Sequence, residues 1–123
     1  MPVISTPESH THELHGARFT AMVSPSRGTV ETCIWQVEIP VAAPSTPHEM
    51  TREEVLVIVA GQAEVRLGDD HFHAGVGDVV VVPQDTLFDL TNAGDEPLRA
   101  LVYLPVGGQA RIDGTTFTPP WAQ

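Results

Sequence analysis

The stretch PHEMTREEVLVIVAGQAEV, residues 47–65, decides how the chain is read. It opens on a lone histidine, passes through Arg52-Glu53-Glu54 and enters the apolar run VLVIVA, which Gly61 ends. That run is rich in β-branched residues and shows no 3.6-residue periodicity, so MTREEVLVIV is read as strand rather than helix. After Gly61, AEVRL alternates as a half-exposed strand does. On a regular strand His48, Met50, Glu54, Leu56 and Ile58 share one parity and project to the same side. The question the stretch poses is whether His48 and the carboxylates after it make a metal site, a metal-free acid-base site, or neither.

Working outward, ARFTAMV (17–23) and ETCIWQVEI (31–39) read as strands separated by the turn-rich SPSRG at 24–28. VAAPSTP (41–47) carries two prolines and is expected to be a loop that delivers the chain to His48. Gly68-Asp69-Asp70 marks a hairpin turn; HFHAG, VVVVP, LFDLTN and LRALVYLP follow as further strands between turns. Many short strands at regular turn spacing predict an all-β barrel or sandwich. At 123 residues, 41% of them hydrophobic, one core is expected. It is placed at 17–106, between a polar, partly flexible N-terminal arm at 1–16 and an irregular tail at 107–123, whose Phe117–Trp121 segment is expected to anchor on the barrel or a dimer partner or to cap the barrel mouth. The arm carries His10, His12 and His15, whose spacing lacks the regularity of a metal-binding tract.

Six basic residues against sixteen acidic ones give a formal charge of −10, which disfavours nucleic acid and anionic lipid as partners. The single cysteine, Cys33, has no intramolecular partner, and neither a secretory signal pattern nor an apolar stretch of membrane-spanning length is seen. A cytoplasmic location is the expectation. Cys33 lies in Glu-Thr-Cys-Ile-Trp, away from any cation that would favour a thiolate, and reads as a buried strand residue.

Two spaced motifs carry a family resemblance. His48 to Gly61, His-x-Met-x-x-x-Glu-x-x-x-x-x-x-Gly, resembles the first motif of the cupin superfamily, with Met50 where a second histidine would stand. Gly77 to Asn92, Gly-x-x-x-x-x-Pro-x-Asp-x-x-Phe-x-x-x-Asn, resembles the second motif, with Asp85 in place of glycine and Phe88 in place of histidine. The resemblance covers roughly residues 30 to 105, and the chain is similar to small stand-alone cupins of actinobacterial type. It implies an all-β cupin double-stranded β-helix, a jelly-roll barrel, and a homodimer formed by sheet packing or exchange of an N-terminal strand. The family's metal ligands, three imidazoles and a carboxylate, fall on His48, Met50, Glu54 and Phe88.

Only two of those four positions offer an ordinary ligand for a divalent ion, and such sites want three or four. No cofactor is therefore expected. The alternatives are a divalent or copper ion held by His48 with Glu54 or Met50, and a ligand pair at His71 and His73, two apart on a strand. Without a metal, His48 and Glu54 become the candidate catalytic pair, with Glu54 orienting the imidazole and raising its pKa for acid-base work. Met50, Leu56, Phe88, Trp35 and Tyr103 are the candidate substrate-binding residues, and Arg52 or Arg99 would suit an anionic group. The leading expectation is a metal-independent isomerase, dehydratase or cyclase acting on a small organic metabolite. Beside it stand a metal-dependent cupin oxygenase with non-standard ligands and a non-enzymatic binding or sensory module.

Overall fold

The apolar runs become twelve antiparallel strands in a computed structural model that describes residues 3–5 and 11–123. His10 lies outside the described residues. The strands are β1 (Thr11–Leu14), β2 (Ala17–Val23), β3 (Thr32–Ile39), β4 (Glu49–Met50), β5 (Glu54–Ala60), β6 (Ala63–Leu67), β7 (Asp70–Ala74), β8 (Val79–Val82), β9 (Phe88–Asn92), β10 (Leu98–Pro105), β11 (Ala110–Ile112) and β12 (Thr115–Phe117). Six form one sheet in the order β1-β2-β3-β10-β5-β8, and two three-stranded sheets run β12-β11-β4 and β7-β6-β9. The small sheets meet at one bridge, where His48 N–H donates to Phe88 O at 2.9 Å and Phe88 N–H returns the bond at 2.7 Å.

Alternation sorts the large sheet into two faces. Trp35, Val102, Leu56 and Val80 stand in register across β3, β10, β5 and β8 and are buried. They join Met50, Val65, Phe88 and Ala110 from the small sheets in one hydrophobic core. The opposite face carries the neighbouring register rows Ile34, Tyr103, Val55, Val81 and Gln36, Leu101, Val57, Val79.

Two expectations change. MTREEVLVIV is two strands rather than one: Thr51 and Arg52 form a bend, and the chain leaves the β11–β4 sheet and enters the β10–β5–β8 sheet there. The tail at 107–123 is ordered, because Ala110–Ile112 pairs with both β12 and β4 and Trp121 stacks on Phe19 at 3.8 Å between ring centroids. Thr11–Leu14 of the expected arm pairs with β2. The landmark residues of the second motif serve turns. Asp85 sits at φ +57°, a left-handed position that short polar side chains tolerate. Asn92 Nδ2 donates to Ile39 O and Glu96 O, and its Oδ1 accepts the Gly94 N–H.

Candidate functional site

A cavity of about 110 Å³ lies against the inner face of the large sheet. β3, β5 and β10 contribute Trp35, Leu56 and Val102, and β5 adds Glu54 at its first position. The loop before β4 contributes Thr46 and His48, β4 contributes Met50 and β9 contributes Phe88 and Asp89. The parity expected across residues 48–56 is kept through the bend, so His48, Met50, Glu54 and Leu56 all line the chamber. Ile58, of the same parity, is buried in the core beyond it.

Glu54 is 3% exposed and makes no side-chain hydrogen bond among the described residues; desolvation pushes its carboxyl up to about 8. At pH 7 it therefore holds a proton. His48 Nδ1 is 2.9 Å from Thr46 O, and a carbonyl only accepts, so Nδ1 carries the hydrogen and neutral Nε2 is left as the acceptor. Desolvation lowers the His48 pKa, with the Thr46 bond and the Asp89 charge opposing it. The expected partnership is corrected in this respect: Glu54 is not hydrogen-bonded to His48 and does not raise its pKa. Thr46 orients the ring instead, and Phe88 meets it edge-on at 5.4 Å.

Trp35, Met50, Leu56 and Phe88 border the cavity, but Tyr103 does not. Val102 faces inward on β10, so its neighbour must face out, and Tyr103 is half-buried on the outer face. Arg52 is exposed, and Arg99 pairs with Glu38 at 2.8 Å on the outside. His71 and His73 are exposed, His71 lying 3.9 Å from Glu64. Cys33 is buried, its Sγ 3.5 Å from Ala122 O, and burial raises its thiol pKa.

The cavity wall also holds residues that the sequence reading left out of the site, Phe19, Thr46 and His15, and others it placed only loosely, Asp89 within the second motif and the Phe117–Trp121 segment as an anchor or a cap over the barrel mouth. Asp89 is buried at the cavity wall and accepts a hydrogen bond from the Ser45 hydroxyl. Phe19, Phe117 and Trp121 also line the chamber; Trp121 is 6% exposed and its indole N–H has no acceptor among the described residues. Asp89 shares the inward side with its neighbour Phe88, against simple alternation. The aromatic trio comes from the two ends of the chain, whose meeting has no local sequence signal.

The positions that correspond to cupin metal ligands do not make a metal site from these side chains. Met50 and Phe88 replace imidazoles, leaving His48 and Glu54 as the ordinary ligand types at these four positions. No group of three or more His, Cys, Asp or Glu able to hold an ion occurs among the described residues.

Among solved structures the chain is similar to an oxalate decarboxylase of Lactobacillus farciminis in complex with formate. They share 26% identity over 76% of this chain and 30% of that one, with a TM-score of 0.65. It is similar to the polyketide cyclase RemF of Streptomyces resistomycificus at 16% identity, 85% and 76% coverage and a TM-score of 0.71. A conserved protein with a double-stranded β-helix domain from Klebsiella pneumoniae gives 15%, 91%, 96% and 0.72 for the same measures. The chain thus spans under a third of the length of the decarboxylase. No curated protein matches. Residues 35–104, strands β3 to β10, match the Cupin domain family, and with its two motifs folded around one cavity the chain belongs to that family.

Proposed function

We propose that this cupin is a metal-independent enzyme that moves protons on a small organic metabolite, in an isomerisation, dehydration or cyclisation. The observation that supports this reading best is that Glu54 and His48 border one largely apolar chamber, where burial pushes the carboxyl up to about 8 and the imidazole pKa down. The two groups differ in role: His48 Nε2 accepts a proton from substrate carbon or oxygen, while Glu54 donates one to the atom where negative charge develops. Transfer of the two protons back through substrate or solvent restores both groups. Met50, Leu56, Phe88 and Trp35 are assigned to holding the substrate, and the strands are taken to close as a jelly-roll barrel around it. Turnover of a metabolite panel by chelator-treated protein tests the reading, with wild type set against Glu54→Gln and His48→Gln of verified fold. Each substitution should lower the rate at least about 100-fold. Equal rates in the variants, turnover only after a transition metal is restored, or ligand binding with no product would overturn it.

The protein is further proposed to work as a cytoplasmic homodimer. Support comes from the outer rows of the large sheet, where Val55, Val57, Val79, Val81, Leu101 and Tyr103 form an uncharged surface ending at edge strand β8. Val79 is 58% and Val81 50% exposed. Strands apolar on both faces are characteristic of sheets covered on both sides, and a two-fold axis would bring this face onto itself. No helix among the described residues is long and apolar enough to cross a membrane.

A further inference from the structure

The aromatic residues are distributed unevenly. The chain has four phenylalanines and two tryptophans, and five of these six, Phe19, Trp35, Phe88, Phe117 and Trp121, line the same cavity. They are not packed alike: Phe19 and Trp121 are parallel, with an interplanar angle of 5°, while Trp35 meets Trp121 edge-on at 62°. Flat faces and edges of this kind complement a flat ring better than a flexible chain, since aromatic pairs favour stacked and T-shaped contacts. Charge sets a second constraint. All six basic residues of the chain are arginines, and none borders the cavity, whereas Glu54 and Asp89 both do. Besides the exposed His15, the imidazole in the lining is His48, whose pKa burial lowers, so an anionic ligand would find no guanidinium or ammonium there and would face the buried Asp89. His48 and Glu54 supply the polar end, able to accept from or donate to a ligand oxygen.

We propose that the cavity selects an uncharged aromatic molecule bearing a carbonyl or hydroxyl oxygen, and rejects the corresponding carboxylate. The proposal rests on this cavity being the ligand site, but not on any proton transfer within it. It is tested with three probes of similar size, acetophenone, cyclohexyl methyl ketone and benzoate, titrated into the full chain at pH 7. The indole N–H resonances of Trp35 and Trp121 report binding. Acetophenone should shift both resonances and bind about fivefold more tightly than cyclohexyl methyl ketone, the gain expected from ring contacts. Benzoate should bind at least about tenfold more weakly than acetophenone, and Asp89→Asn should narrow that gap. Equal affinity of the two ketones, benzoate binding as well as acetophenone, or no indole shift with any probe up to its solubility limit would overturn the proposal. Glu54→Gln separates the two readings. If only the acid-base reading fails, turnover survives in the variant and the probe order stands; if only the ligand class is wrong, turnover is lost and the probe order never appears.

Discussion

At the residue scale, the chemistry turns on the environments of Glu54 and His48 more than on their identities. Glu54 titrates near 8 in the folded protein and near the ordinary carboxylate value when unfolded. Between those two values the native state holds a proton that the unfolded state has released, so stability falls as pH rises from about 4.5 to about 8 and then levels off. The thermal midpoint should accordingly decline across that window, with the decline flattened in Glu54→Gln; a parallel decline in the variant would assign it to other groups. Met50 and Phe88 define a second expectation. The double substitution Met50→His, Phe88→His places two imidazoles at buried positions beside His48, and should cost about 2–5 kcal/mol of stability while creating a near-stoichiometric zinc site. Calorimetric zinc titration checks this; absence of binding would show that these positions do not converge. The type and location of these side chains were legible in the sequence. Their protonation was not, because it depends on burial and on a carbonyl two residues before His48.

At the element scale, long strands were easier to read than short ones. ARFTAMV, AEVRL and LRALVYLP coincide with β2, β6 and β10, since alternation over five to eight residues is a strong signal. The two-residue β4 and three-residue β11 and β12 carry too few residues for any period to show, and exist through pairing with each other. Tyr103 illustrates another limit: the strand was recognised, but not which of its sides faced the chamber. Turn glycines can be ranked by what surrounds them. Gly61 has φ +84°, and a Cβ there would lie 2.8 Å from Pro97 O and 2.9 Å from Leu98 Cα. Gly77 has φ +91° with open space around it. Gly61→Ala should therefore lower stability by about 2–4 kcal/mol, clearly more than Gly77→Ala at about 1 kcal/mol, as read by urea denaturation. Equal losses would mean that the backbone beside Gly61 yields readily.

At the scale of the whole molecule, the uncharged outer rows of the large sheet make oligomeric state a measurable outcome. Light scattering at micromolar concentration should give a dimer for wild type and a monomer for Val79→Lys, Val81→Lys, whose charges would be buried unpaired in the interface. A wild-type monomer would remove the proposed interface. The VLVIVA and VVVV runs were legible as strands in the sequence, but which side faces the cavity emerges only once β5 is set between β10 and β8. One further feature governs how the molecule comes into being. β4 hydrogen-bonds to β11, sixty residues later, and Phe117 and Trp121 wall the same space as Phe19 near the other end. During translation the chamber thus has no floor until residues 110–121 have left the ribosome, and the nascent strands must wait with their greasy sides uncovered.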